Sequence, residues 1–185
     1  VNFLGKCIYD EYVLPMEPVT DYRTRFSGIR PFNLTRKNGA KNFKIVRIEV
    51  MEIINGRLLI GHDVEKDLDV LSLCHPEENI RDTVKCGYLF ENDEKLRKYS
   101  KGKHSLKKLT KALFDIDIQI GEHDSIDDAK AAMRIYRKLK TQWEESLDNE
   151  FENSDDLISR FHQVRINGIP RYVCDDCWRN GSYLN

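Results

Sequence analysis

Apolar residues recur at helical spacing in four stretches of the chain, separated by short polar or turn-forming segments. In KNFKIVRIEVMEII (41 to 54) the spacing puts Phe43, Val46, Val50, Ile53 and Ile54 on one face and predicts a helix that Asn55-Gly56 ends. RLLIG (57 to 61) reads as a short apolar strand, and GHDVEKDLDVLSL (61 to 73) predicts a second helix just beyond Gly61. At about 100° per residue, Val64, Leu68, Val70 and Leu71 share an arc of that helix, with Asp67 inside it and Glu65 and Asp69 opposite. SLKKLTKALF (105 to 114) repeats Leu106, Leu109 and Leu113 behind a Ser105 cap. In HDSIDDAKAAMRIYRKLKTQW (123 to 143), Ala129, Ala132, Met133, Tyr136, Leu139 and Trp143 fall together and predict a long helix from about Ser125 to Glu145. Asp128 lies at the edge of that arc, while Asp127 projects toward Lys130 and Arg134 on the wet face.

Strand signals are weaker. VNFLGKCIYDEYVLP (1 to 15) reads as two strands around a Gly5 turn, stopped by Pro15 and Pro18. A polar loop follows at 20 to 33, and ENIRDTVKCGYLF (78 to 90) holds a strand and turn around Arg81-Asp82-Thr83. DIDIQI (115 to 120) alternates but is short. Asn167-Gly168, between alternating flanks, is a two-residue hairpin signal. The strand, turn and helix around Gly61 form a βα unit, which places Asp67 near the carboxyl edge of a sheet, where α/β folds keep their sites. The expected organisation is a main domain over 1 to 145, then an acidic linker and a small Cys-containing extension over 146 to 185.

The chain has 185 residues and a net charge of −1, so no global field draws it to nucleic acid or membrane. Its charges are segregated, however. Residues 95 to 111 carry eight Lys or Arg and no acid, and residues 144 to 156 carry seven acids and no base. The basic run reads either as a solvated face or as a phosphate-attracting rim that includes Lys101 and Lys103. No stretch is apolar enough for a membrane span, and no signal peptide opens the chain. Five cysteines, an odd number and mostly far apart, fit a reducing compartment. Cys174 and Cys177 form a CxxC pair that could be half of a zinc site, but zinc wants four ligands and only His162 lies nearby.

A carboxylate turned toward an apolar face costs free energy unless something neutralises it, and a divalent cation does so well. Each acid has a structural alternative. Ser125-Ile126-Asp127-Asp128 has the spacing of a capping box, and Asp67 could sit in a buried ion pair or cap. His123 and His62 taken singly could be satisfied polar groups. Together, two face-selected aspartates, a histidine five residues before the second and a nearby basic run are the parts that phosphodiester hydrolysis needs. In that chemistry carboxylates hold divalent ions about 3.5–4 Å apart, and a histidine can take the proton of the attacking water.

GHDVEKDL resembles the second, and HDSIDDAKAAMRIY the third, acidic motif of the DEDDh 3′–5′ exonucleases. CIYDEYVLP, EPVTDYRTRFSGIRP, RLLIGHDVEKDLDVL, IRDT and the His123 motif are together similar to the RNA exonuclease 4 and interferon-stimulated exonuclease branch, over roughly residues 1 to 145. The resemblance implies an α/β, RNase H-like mixed sheet flanked by helices, with two Mg²⁺ or Mn²⁺ ions. It implies removal of nucleotides from the free 3′ end of RNA, with single-stranded DNA as a second substrate, in the nucleus or nucleolus. Asp67 and Asp128 would be metal ligands and His123 the general base. Tyr22, Arg23 and Phe26 would lie near the nucleotide, with Lys101 and Lys103 on its rim.

The family's other two carboxylates form an Asp-x-Glu pair on a first strand, upstream of the segment that VNFLGKCIYDEYV resembles. Asp10-Glu11 is adjacent rather than i, i+2, and Asp21 matches no metal position. The expectation is therefore a scaffold missing its first strand, an impaired catalyst, and a non-catalytic nucleic-acid-binding or protein-interaction module as the alternative.

Overall fold

The computed structural model describes residues 1 to 153 together with the strand pairs Arg165–Ile166 and Ile169–Pro170. In chain order its elements are α1 (Thr24–Ser27), α2 (Phe43–Ile54), β1 (Leu59–Gly61), α3 (Val64–Leu71), β2 (Ile80–Asp82), α4 (Leu106–Phe114), α5 (Ser125–Asn153), β3 (Arg165–Ile166) and β4 (Ile169–Pro170). Short 3₁₀ turns punctuate the loops between them.

The centre of the fold is α5, which packs against α4 and β1. Its buried face carries Ala131, Ala132, Met133, Ile135, Tyr136, Leu139 and Trp143, and α4 meets it with Leu106 and Leu109. This is the arc predicted from the 3.6-residue period, widened by Ala131 and Ile135 and without Ala129, which is half-buried. Cys86 and Phe90 close the cluster from a 3₁₀ turn, and burial pushes the Cys86 thiol up to about 12. The helix outruns its predicted end at Glu145 by two turns. No Gly or Pro interrupts 146 to 153, and Leu147 packs on the core, so the start of the acidic stretch continues the helix instead of forming a linker.

The sheet is smaller than expected. Strands β1 and β2 pair in parallel, Leu59 with Ile80, Ile60 with Arg81 and Gly61 with Asp82. Instead of two strands, residues 1 to 15 contribute a single parallel bridge, Val13 with Lys41, and DIDIQI forms none. Strand-favouring residues form a ladder only beside a partner edge, and among the described residues 6 to 12 meet one only at Tyr12, whose carbonyl accepts the Lys41 N–H at 2.8 Å; Ile8 and Tyr12 are exposed. The segment is instead held through its side chains. Tyr9 donates a 2.6 Å hydrogen bond to Glu49 of α2, and Lys41 bridges Glu11 and Glu49. Burial and Glu49 raise the Tyr9 phenol to about 12.

Helix α2 begins where Asn42 accepts the Lys44 N–H, as a capped amphipathic helix should. Its predicted face is buried at Val46 and half-buried at Phe43, Val50, Ile53 and Ile54. In α3 the arc is narrower than predicted. Val64 is buried, while Val70 is 75% exposed, about a third of a turn round the helix from it. β3 and β4 pair antiparallel, Ile166 with Ile169, around the predicted hairpin position. Cys174 and Cys177 lie outside the described residues. Among the described residues no helix is long and apolar enough to cross a membrane.

Candidate active site

Strand β2 fixes the corner where β1 turns into α3. The Asp82 carboxylate, only 6% exposed, accepts the Asp63 N–H at 2.8 Å, the Val64 N–H at 3.0 Å and the Val84 N–H at 3.0 Å. It therefore caps a helix that belongs to the other strand of the pair, satisfying N–H groups that have no helical partner. Asp63 takes a left-handed conformation, φ 67°, to start α3 there, and an ion pair with Lys66 lowers its carboxyl pKa. At the end of β1, His62 Nδ1 lies 2.9 Å from the Thr83 hydroxyl, which donates to Gly61 O at 2.8 Å. With that hydroxyl proton committed, the ring nitrogen is the donor. Burial lowers the His62 pKa, while Asp82, Asp63 and Asp128 oppose it.

Asp67 stands one turn into α3. Its residue surface is exposed, contrary to the expectation of a core-facing acid, because the arc it was assigned to is shorter than predicted. Its carboxyl nevertheless loses enough water to neighbouring protein mass to be raised, with Asp63 and Asp82 adding repulsion.

Asp128 is half-buried near the start of α5. It is not a helix cap: Asp124 Oδ1 takes the Ile126 and Asp127 N–H groups at 2.8 and 3.0 Å. Its own carboxylate instead accepts from Gln119 Nε2 at 2.9 Å and lies 3.7 Å from His123 Nδ1. Gln119, like Asp63, has a positive φ, 57°. Non-glycine residues held there store backbone strain that the surroundings must compensate. Asp127 behaves as predicted, on the wet face 3.0 Å from Lys130.

The loop predicted to lie near the nucleotide clasps His123. Phe26 meets the His123 ring edge-on with centroids 5.9 Å apart, and the His123 N–H donates to Arg25 O at 3.2 Å. Gly28 completes the clasp, since a Cβ there would stand 2.5 Å from His123 O. Arg23, itself at φ 47°, stacks its guanidinium on Phe26 at 5.5 Å. Tyr22 is half-buried, and its carbonyl accepts the Ser27 hydroxyl. An Arg30–Glu122 ion pair pins the two loops together further out. On the other side, Lys103 comes within 4.0 Å of Asp63; Lys101 is exposed and offers its carbonyl to His104 at 2.9 Å.

The structure thus brings together His123, Asp128, Phe26 and Arg23. It places Asp67 in the Asp63–Asp82 corner, and His62 feels both that corner and Asp128. Among the described residues no group of three or more His, Cys, Asp or Glu side chains is arranged to hold a metal ion. Mg²⁺ is held by one or two carboxylates and completes its shell with water and substrate phosphate, so Asp67 and Asp128 suit such an ion, but the described donors are not clustered as a two-ion centre. Sequence reasoning missed Asp82, Gln119 and Asp124, which position the site. Asp124 carried a signal, an acid immediately before a helix start; Gln119 carried none.

Residues 2–136 match the exonuclease family model (RNase T). Over 149 residues the chain is 49% identical to mouse RNA exonuclease 4, a match covering 80% of this chain and 32% of that protein. It is 42% identical over 153 residues to RNA exonuclease 4 of Saccharomyces cerevisiae, covering 82% of this chain and 50% of that one. The chain thus spans between about a third and a half of the length of these relatives. Among solved structures, the Neurospora crassa Pan2 catalytic unit superposes with a TM-score of 0.64 at 29% identity, over 80% of this chain and 24% of that one. The Saccharomyces cerevisiae Pan2 module in complex with AAUUAA RNA gives 0.61 at 28% identity, over 81% and 24%. The fold is RNase H-like α/β, with a parallel strand pair among the described residues. The chain belongs to the exonuclease family, on the branch of the RNA exonuclease 4 proteins.

Proposed function

We propose that residues 1 to 145 are the catalytic domain of an RNA exonuclease that removes nucleotides from a free 3′ end, with single-stranded DNA as a weaker substrate. The observation that carries this reading is His123 held 3.7 Å from Asp128 in a loop clasped by Phe26 and Arg25. His123 accepts the proton of the attacking water, and the adjacent carboxylate stabilises the imidazolium that results. Phe26, backed by Arg23, offers a face for the terminal base, and Lys101 and Lys103 attract its phosphates. Pan2 solved with RNA supports the choice of substrate. A nuclear or nucleolar site of action, and a separate extension beyond the end of α5 at Asn153, belong to the same proposal.

Mg²⁺ or Mn²⁺ is the cofactor this reading implies, supplying charge neutralisation and a more acidic water. With Asp67 and Asp128 as the carboxylates at hand, the 185-residue chain alone is a slow enzyme. The shortage of donors also favours a second reading, a non-catalytic nucleic-acid-binding or protein-interaction module on the same scaffold.

Incubating the chain with a 5′-labelled single-stranded RNA and Mn²⁺ separates these readings. Slow shortening from the 3′ end that disappears in His123→Ala and Asp128→Asn supports the enzyme. Shortening that survives both variants refutes the assigned residues, and brisk Mg²⁺-dependent trimming refutes the impairment. No shortening, together with no Mn²⁺ site by calorimetry, supports the module.

A further inference from the structure

Residues 14 to 16, Arg36 and residues 42 to 44 line a groove of about 380 Å³, apart from the residues placed in the candidate active site. Its apolar side is Leu14, Pro15, Met16 and Phe43, and Arg36 and Lys44 supply two cations. The volume is within the range of small-molecule sites and accommodates a nucleoside-sized group. Met16 is 84% exposed and Phe43 half-buried, so an aromatic face and a soft thioether are both presented.

The charge around the groove is one-sided. Residues 22 to 44 contain seven Lys or Arg and no acid. Arg30 is neutralised by Glu122, and Lys41 by Glu11 and Glu49. Arg36 and Lys44 take part in no ion pair among the described residues, and Glu17, beside Met16 in sequence, does not line the groove. A rim with two uncompensated cations over an apolar floor complements a phosphodiester carrying a base. The same segment is continuous with the clasp on His123. From Phe26 it runs through Phe32, 58% exposed, and is tied back on itself where Asn38 Nδ2 donates to Phe32 O and the Ala40 N–H to Thr35 O.

We infer that this groove is a second RNA subsite, which takes a nucleotide upstream of the 3′ end with its base on Phe43 and Met16 and its phosphates on Arg36 and Lys44. It rests on the reading of the chain as an RNA exonuclease and extends it: affinity comes from a stretch of single strand, not from the terminal nucleotide alone.

The test is fluorescence anisotropy in EDTA, with a labelled oligouridylate of about eight nucleotides and a labelled dinucleotide. Arg36→Glu with Lys44→Glu should weaken the longer RNA at least about tenfold and make its salt dependence shallower by one to two phosphate contacts. The dinucleotide should be unaffected. Arg36→Gln with Lys44→Gln should act in the same direction, and circular dichroism melting checks that both pairs fold. Lys6→Glu with Lys138→Glu, two exposed lysines elsewhere, matches the charge change and should leave both RNAs unaffected. The subsite is overturned by unchanged binding of the longer RNA, by equal loss of both RNAs, by an equal loss in the control pair, or by a wild type indifferent to RNA length. Trimming with Mn²⁺ is scored separately on the same RNA. Length-dependent binding without trimming removes the enzyme reading alone, and trimming indifferent to Arg36 and Lys44 removes the subsite alone.

Discussion

Asp124 caps the helix on which Asp128 stands, and so leaves the Asp128 carboxylate to Gln119 and His123. Four residues apart, the two acids divide tasks that a sequence pattern assigns to either. Asp124→Ala should lower stability by about 1 kcal/mol through loss of the cap, read as a fall in the midpoint of urea unfolding. It should also loosen the His123 loop, so that any trimming falls further than stability explains. If Asp124→Ala leaves the midpoint unchanged, the cap is worth nothing in solution and Asp128 has no need to be relieved of it.

Asp82 does for α3 what Asp124 does for α5, from farther away in sequence. Three N–H groups converge on a carboxylate that is almost fully buried. Asp82→Ala would strand them without water, a loss of about 2 kcal/mol or more, and would release the strained Asp63 that starts α3. Hydrogen exchange should show the amides of Asp63, Val64 and Val84 losing protection while α4 keeps its own. Asp82→Asn is the sharper probe, since it retains the shape and one acceptor oxygen but loses the charge. It should fall between wild type and Asp82→Ala.

The pH dependence of stability should carry the signature of His62. Burial depresses its folded pKa below the unfolded value of 6.5, against the pull of Asp82, Asp63 and Asp128. The unfolded chain therefore binds a proton that the folded chain resists. The stability tied to neutral His62 is complete above pH 6.5 and is lost as pH falls through the lower folded pKa. Thermal midpoints recorded from pH 7.5 to pH 5 should decline more steeply for wild type than for His62→Gln. Parallel curves would show that His62 does not report on this corner.

Much of this fold could be read from periodicity because the relevant forces are local. The buried face of α5, the Ser105 and Asn55-Gly56 boundaries and the β1–α3 unit follow from residues within one or two turns of one another. What could not be read depends on distant partners. Residues 1 to 15 have strand-favouring side chains, but pairing depends on a neighbouring edge, and the segment is held by Tyr9–Glu49 and Lys41 instead. Val70 lies at the outer edge of the predicted α3 arc, about 60° beyond Asp67, and no element among the described residues packs over that edge, so it is exposed. At the candidate site, His123 and Asp128 were legible as residue types, and their adjacency follows from their spacing. The left-handed conformations of Asp63 and Gln119, and the Gly28 contact with His123, are set by tertiary packing and leave no local trace.

The half-buried ion pair between Arg81 and Glu144 ties β2 to the far part of α5, and its removal should act on the site through the sheet. Arg81, 8% exposed, places its guanidinium 3.0 and 2.6 Å from the two Glu144 oxygens, and Tyr136 donates to the same carboxylate at 2.9 Å. Arg81 lowers the Glu144 pKa, while burial and Glu144 raise Tyr136 to about 12. Glu144→Gln weakens the charge-assisted bonds to Arg81, which keeps only the Glu78 and Ile80 carbonyls at full strength, a loss of about 2 kcal/mol, measurable as a lower urea midpoint. Since Arg81 directly precedes Asp82, the Asp63 and Val64 amides should lose protection in this variant too.

Asp67 should behave as a residue retained against stability. Withdrawal from water raises its folded pKa, and Asp63 and Asp82 add to the shift. For such a group the sign reverses: its contribution is fully favourable below the unfolded value of 3.8 and is lost as pH rises through the folded pKa. At neutral pH the ionised carboxylate opposes folding, as a charge kept for chemistry does. Asp67→Asn should therefore raise the thermal midpoint at pH 7, the gain should vanish near pH 3, and any Mn²⁺ binding by the chain should weaken. A variant that is destabilised at pH 7 would mean that the carboxylate is engaged by a partner in the folded protein, and Asp67 would then be a structural acid.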